Sequence, residues 1–291
     1  MLRLAEMVFT VFKYRNETDL VLIDTYSTQN FFYALVMAKC CKFFKLPYIP
    51  ILHGGNLPER LKSDPQKCNF LFKNAKVNVS PSLYLIKVFK DFGYSNVIHI
   101  PNSILLENYS FLKRAIKPKL LWVRSFSEIY NPMLGLKVVK KLLPHYPETS
   151  LCMVGPEKDG SLSLCKAYAQ KNNLPVTFTG KLEKEAWVKL AEEYSIFINT
   201  TNFDNFPVSV LEAMALGLPI VSTNVGGIPF LLENQKEALL VAPQNEDEMA
   251  KAIIEIIENK LDAESMVYNA RKKAETFDWE KVKQYWLKIL N

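Results

Sequence analysis

Two carboxylates and a guanidinium carry most of the chemistry that this chain could perform. Asp204 and Glu212 stand eight positions apart in Phe203-Asp204-Asn205-Phe206-Pro207-Val208-Ser209-Val210-Leu211-Glu212. The spacing places them around the start of a helix. Pro207 suits its first turn, where a missing N–H costs nothing, and Asn205 is placed to cap the free amides. Gly217 ends the helix and Pro219 prevents its return. A helix start with free N–H groups is a ready site for phosphate. Glu212, about one turn inside, could accept hydrogen bonds from a pair of sugar hydroxyls. Arg124 follows the strand-like run Leu120–Val123 and offers phosphate oxygens a bidentate partner. Its plainer reading is a surface pair with Glu128. His53 stands just beyond the run Tyr48–Leu52 and before Gly54-Gly55, as a near-neutral hydrogen-bonding group. Its plainer reading is a turn histidine bonded to backbone.

The order of motifs from Asp204 to Pro229 resembles the donor-site signature of the family 4 retaining glycosyltransferases, the glycosyl transferases group 1 set with the GT-B fold. The matching residues are Asp204-x7-Glu212, Ala213-Met214-Ala215-Leu216-Gly217-Leu218-Pro219 and Gly226-Gly227-Ile228-Pro229. Asp204 replaces the family's first Glu, keeping its charge with a shorter reach. The resemblance extends to His53-Gly54, Ser80-Pro81-Ser82, Pro101-Asn102-Ser103 and Arg124, whereas the family's lysine five positions after that arginine falls on Ile129. It implies catalytic roles for His53, Asp204 and Arg124. It implies donor binding by Glu212, Arg124, Gly155, Gly180, Phe206, Pro207, Val208 and Ser209. The strand-Gly turn Met153–Gly155 is by itself equally an ordinary turn, and Lys181, after Gly180, reads as a solvated lysine.

These residues need elements to hold them. Short β-branched or apolar runs at Leu20–Asp24, Tyr48–Leu52, Lys76–Ser80 and Val97–Ile100 alternate with helix-period segments in the front half. Six more follow at Leu120–Val123, Leu151–Val154, Val176–Thr179, Ile196–Asn199, Ile220–Ser222 and Leu239–Val241. This alternation predicts an α/β chain of parallel βαβ units. With the resemblance, it becomes two Rossmann-like domains: residues 1–115 on the acceptor side, residues 116–275 holding the donor, and a helix over 276–291 crossing back. The resemblance places further strands before Asp24, and the chain starts too late to contain them, so the front domain is expected to be incomplete. Met1–Lys13 reads as a helix from the middle of such a domain.

Composition narrows the alternatives. The chain has 291 residues, 49% of them apolar and 23% charged, as in folded globular proteins. Residues 1–114 hold 15 Lys and Arg against 8 Asp and Glu, and the remainder 21 against 22. A basic front half suggests an anionic partner such as a phospholipid surface, a lipid diphosphate or an acidic glycan. Lys39, Lys42 and Lys45, interleaved with Phe43 and Phe44, read either as a membrane-surface helix or as the solvated face of a sheet-covering helix. No nucleic-acid-binding signature is found. Three histidines without ligand spacing predict no metal site, and the resemblance implies no cofactor. Five irregularly spaced cysteines fit a reduced, cytoplasmic compartment, and no signal peptide or spanning run is visible.

The expected function is sugar transfer, with retention, from a nucleotide-diphosphate sugar to a glycan or lipid-linked acceptor, in cell-surface polysaccharide synthesis. The expected place is the cytoplasm, peripheral on the inner face of the membrane. A non-catalytic nucleotide-sugar binder or partner subunit is the alternative, and another GT-B activity such as sugar epimerisation a third.

Overall fold

A computed structural model describes residues 2–258 and 262–290. The chain divides into two compact units, Met1–Asn102 with Val282–Asn291, and Ser103–Lys281. The boundary lies before the expected join at residue 115. Residues 104–115 are tied into the second unit by Ile104, whose amide bonds the Phe277 carbonyl (3.1 Å) and whose carbonyl accepts from the Trp279 amide (2.8 Å). Buried Tyr109 anchors the same segment.

The first unit opens with α1 (Leu2–Tyr14) and builds a four-stranded parallel sheet in the order β1 (Val21–Thr25), β2 (Tyr48–Leu52), β3 (Asn78–Ser80), β4 (Val97–His99). Helices α2 (Asn30–Phe43), α3 (Leu57–Ser63), α4 (Pro65–Lys73) and α5 (Leu83–Asp91) connect the strands. Alternate strand residues serve two cores, as a two-residue side-chain period requires. Ile23 and Leu52 join Phe31, Phe72 and Phe89 in one cluster. Ile49 and Val79 join Ile100 and Val282 in another.

The second unit has six parallel strands: β5 (Lys119–Val123), β6 (Ser150–Val154), β7 (Val176–Gly180), β8 (Ile196–Asn199), β9 (Ile220–Thr223) and β10 (Leu239–Val241). Their order is β10-β9-β8-β5-β6-β7. Strand order therefore reverses at the β5/β8 junction, the point where open α/β sheets receive ligands beyond their strand ends. Helices α6 (Pro132–Leu142), α7 (Ser161–Lys171), α8 (Lys184–Leu190), α9 (Val208–Ala215), α10 (Ile228–Leu231), α11 (Glu246–Ile257), α12 (Ala263–Ala274) and α13 (Trp279–Leu290) complete the chain, and α13 passes into the first unit from Val282 onward. Leu120 and Trp122 pack into one core and Leu121 into the other, so both sheet faces are covered. Local chemistry sets the helix ends. Asn245 accepts from the Glu248 amide at the start of α11 (3.0 Å). Gly217 (φ +74°) ends α9, with Gly217 N–H donating to Met214 and Leu218 N–H to Ala213, the paired pattern of a glycine-terminated helix.

All five cysteines are free, and burial pushes the Cys68 and Cys165 thiols up to about 12. Such thiols act as small core hydrophobes.

Candidate functional site

The site is built at the reversal point of the second sheet. Arg124 leaves the end of β5, and the loop carrying Asp204 leaves the end of β8. Gly155, just past β6, is required where it stands, because a Cβ there would collide with the Arg124 carbonyl. Its amide donates to the Gly180 carbonyl (2.8 Å), and the Arg124 amide donates to Val154 (3.0 Å). Gly155 and Gly180 thus belong to the scaffold that fixes Arg124.

The Arg124 guanidinium pairs with the Asp204 carboxylate. The two side chains are 16% and 12% exposed, so the pair is largely withdrawn from water. It is not the surface pair with Glu128. Arg124 also lies over the Tyr130 ring, 4.4 Å from its centroid. Burial pulls the guanidinium below its ordinary pKa, and Tyr130 and Glu212 act in the opposite direction. Its Nε finds no acceptor among the described residues. The other Asp204 oxygen accepts from the Asn205 amide (2.9 Å).

The Gly226-Gly227 loop holds Asp204 from behind. A Cβ on Gly226 would strike the Asp204 carbonyl, and one on Gly227 would strike the Asn205 carbonyl. The Gly227 amide donates to the Asp204 carbonyl (3.0 Å). Below lies a buried polar lattice. Trp122 donates to the Thr200 hydroxyl (2.9 Å), Thr200 to the Tyr130 carbonyl (2.8 Å) and Thr223 to the Thr201 carbonyl (2.6 Å). Satisfied networks of this kind hold a loop in one conformation.

Helix α9 starts at Val208, one residue later than the sequence suggested, so Pro207 is its cap residue in extended conformation and not a first-turn residue. The Val210 and Leu211 amides both return to the Pro207 carbonyl (3.2 Å each). Those of Val208 and Ser209 have no acceptor among the described residues, as expected for leading amides. The buried Ser209 hydroxyl is also without a partner. Phe206 turns its ring into the core against Phe277, at 5.2 Å between centroids.

Glu212 is only 3% exposed. Its Oε1 accepts from the Tyr109 hydroxyl (2.8 Å) and pairs with Lys184 at the start of α8. Burial, then the neighbouring Glu212 charge, raise the Tyr109 pKa. Neither Tyr109 nor Lys184 was singled out from the sequence. They lie 103 and 28 positions from Glu212, and no motif marks them. Lys181, by contrast, pairs with exposed Glu183 (3.0 Å).

His53 belongs to the first unit. Its Nε2 lies 3.0 Å from an Asp24 oxygen, and its ring stacks on Tyr26 at 5.4 Å. Its amide donates to the Thr25 carbonyl (2.9 Å), and Gly54 backs so closely on Tyr26-Ser27 that a Cβ would collide. The structure thus brings Arg124, Gly155, Gly180, Asp204, Pro207, Val208, Ser209 and Glu212 together within one unit and sets His53 on the other. Among the described residues no group of three or more His, Cys, Asp or Glu could hold a metal ion.

Comparison with known proteins bears on the fold and the family. An uncharacterized glycosyltransferase of Haemophilus influenzae is 29% identical over 204 residues, covering 68% of this chain and 56% of that protein. The Arabidopsis thaliana sulfoquinovosyl transferase SQD2 is 25% identical over 150 residues, or 50% of this chain and 28% of that one. The chain thus spans about half or less of these relatives' length. Sucrose-phosphate synthase from Thermosynechococcus elongatus superimposes with a TM-score of 0.84 at 19% identity, covering 99% of this chain and 77% of that one. Anabaena Alr3699/HepE in complex with UDP-glucose superimposes at 0.83, again with 19% identity, covering 99% and 81%. The fold is therefore that of the two-domain GT-B glycosyltransferases. The model of the glycosyl transferases group 1 family matches residues 110–273, more than half of the chain, a span that includes Arg124, Lys184, Asp204 and Glu212 and begins one residue after Tyr109: the chain belongs to that family.

Proposed function

We propose that this protein is a retaining glycosyltransferase that takes its sugar from a nucleotide-diphosphate donor. One observation carries the reading: the Arg124–Asp204 pair, the unpaired Val208 and Ser209 amides and the buried Glu212 carboxylate share one site at the sheet's reversal point. The diphosphate sits at the start of α9, against those amides and the Ser209 hydroxyl. Arg124 neutralises the charge that grows as the diphosphate leaves, the electrostatic contribution that usually dominates catalysis. Glu212 accepts from the ribose hydroxyls through Oε2, with Tyr109 and Lys184 holding Oε1. Asp204 orients the donor sugar. The acceptor hydroxyl attacks from the face that the diphosphate leaves, and a diphosphate oxygen takes its proton. This chemistry needs no metal. That HepE has been crystallised with UDP-glucose supports a donor of the same class here. The acceptor is a glycan or a lipid-linked sugar, and the work is surface polysaccharide synthesis at the inner face of the membrane.

A second reading has its own observation. Arg124 and Asp204 are engaged with each other, as they could be in a chain that binds nucleotide sugars without transferring them.

Calorimetry with uridine, guanosine and adenosine diphosphate sugars tests the site. The expected result is binding of one of them, weakened at least about tenfold by Glu212→Gln, a change that keeps shape while removing charge. Equal affinity in that variant removes Glu212 from the site. Binding with neither transfer nor hydrolysis across an acceptor panel favours the second reading.

A further inference from the structure

The basic front half has found no role in the donor site, and the first unit gathers part of it around exposed aromatic rings. Phe43, at the end of α2, is 80% exposed, more than any other large hydrophobic residue described. Phe9 and Phe12, one turn apart on α1, are 63% and 48% exposed. Phe12 and Phe43 are linked through Phe44, and Phe9 lies one turn from Phe12 on the same helix. The Phe43 ring lies 5.0 Å from Phe44, and Phe44 lies 6.0 Å from Phe12, which joins α1 to α2. The Arg15 guanidinium covers the seam, 4.2 Å from the Phe12 centroid and 5.8 Å from that of Phe44.

Cations rim the rings. Lys13 lies over Tyr14 at 4.9 Å. Lys39, one helical turn before Phe43, and Lys45, just after Phe44, are exposed. Lys42 leans the other way, to Asn74 (2.9 Å). Helix α2 contains no acidic residue and α1 contains only Glu6; Glu17 and Asp19 follow in the turn to β1.

Single exposed apolar side chains are ordinary, but a contiguous aromatic cluster on a folded surface marks something it docks against. Rings bordered by Lys and Arg suit the boundary of an anionic bilayer: the rings enter the acyl edge and the cations meet the phosphates. We infer that the Phe9–Phe12–Phe43 face, rimmed by Lys13, Arg15, Lys39 and Lys45, is a docking surface for an anionic phospholipid bilayer. This inference rests on the first unit alone and does not depend on the donor site.

Co-sedimentation of the full chain with phosphatidylcholine vesicles, with and without phosphatidylglycerol, tests it. The expected result is binding to the anionic vesicles that weakens with salt and is much weaker on neutral ones. F9S/F12S/F43S should lose about tenfold or more of that binding, and K39E/K45E should lose the preference for anionic lipid. Circular dichroism melts should stay close to those of the wild type, because Phe9, Phe43, Lys39 and Lys45 face water and Phe12 is only half-buried, against Phe44 and Arg15. Three results would each overturn the inference: no binding to anionic vesicles, binding indifferent to salt and lipid charge, or variants that bind as the wild type does. So would a wild-type dimer in sedimentation velocity that the Phe43→Ser change dissolves, since the face would then be an interface between copies. Nucleotide-sugar affinity, measured in parallel, should be unchanged in both variants.

Discussion

Asp204 and Arg124, proposed above to meet the donor, also have a structural part to play. Each is largely withdrawn from water and each supplies the other's counter-charge. Removing one partner leaves a buried charge without compensation, which costs more than the pair itself contributes. Asp204→Asn should therefore destabilise the second unit by about 3 kcal/mol, the lower end for broken buried pairs because both side chains keep some exposure. Urea unfolding measures this, and a change below about 0.5 kcal/mol, the range of ordinary surface substitutions, would show that the guanidinium finds other partners. Glu212 is held differently. Tyr109 and Lys184 occupy one oxygen, so a carboxylate that looks like a lone acid in the sequence is one corner of a three-residue cluster.

At the scale of elements, the loops around the site are held by close backbone approach. Gly227 has an ordinary φ (−83°), so alanine is forbidden there only by the Asn205 carbonyl. Gly227→Ala should push the Asp204 loop outward, lower stability by about 1–3 kcal/mol and weaken nucleotide-sugar binding more than a melting shift alone explains. Normal affinity in a folded Gly227→Ala protein would show that the loop position is not what the donor reads. The loop before α6 is fixed by another device. Asp159 accepts from the Ser161 hydroxyl (2.5 Å), the Glu128 amide (2.8 Å) and the Ser127 hydroxyl (2.8 Å), which together hold its carboxyl down at about 2. A depressed carboxyl pKa adds stability in full above its ordinary value near 4, lost as pH falls through about 2. Asp159 is exposed, so the contribution should stay below about 1 kcal/mol. Melting temperatures between about pH 4 and about pH 2 should fall less steeply for Asp159→Ala than for wild type; parallel curves would show that Asp159 adds nothing to acid sensitivity. All ten strands among the described residues were legible in the sequence, because they lie in short β-branched or apolar runs between helix-period segments. The Asp204-x7-Glu212 spacing was legible for the same reason: its geometry lies within one loop and one helix. Tyr109, Lys184 and the glycine-backed contact between residues 204–205 and 226–227 were not. Tertiary folding alone brings these partners together. The α9 start was misplaced by one residue, because Pro207 satisfies the rules for a cap position and for a first turn alike.

At the scale of the whole molecule, the last stretch of chain belongs to the first unit although it leaves the second. Val282 is fully buried and shares a cluster with Ile49 on β2, Val79 on β3 and Ile100, with Trp286 and Ile289 packed against it. Lys76 adds a hydrogen bond to the Ile289 carbonyl (3.1 Å). This cluster covers one face of a four-stranded sheet whose other face packs on Phe31, Phe72 and Phe89. A parallel sheet needs both faces covered, and here one face is covered partly by residues that arrive last in the sequence. Val282→Ala should cost about 1–3 kcal/mol, and a truncation before Val282 considerably more. The loss should fall on the first unit alone. Hydrogen exchange would show it as lost protection in β2 and β3, with protection in β5, β6 and β8 retained. Loss spread evenly over both sheets would mean that the two units unfold as one, and the terminal helix would then stabilise the chain as a whole.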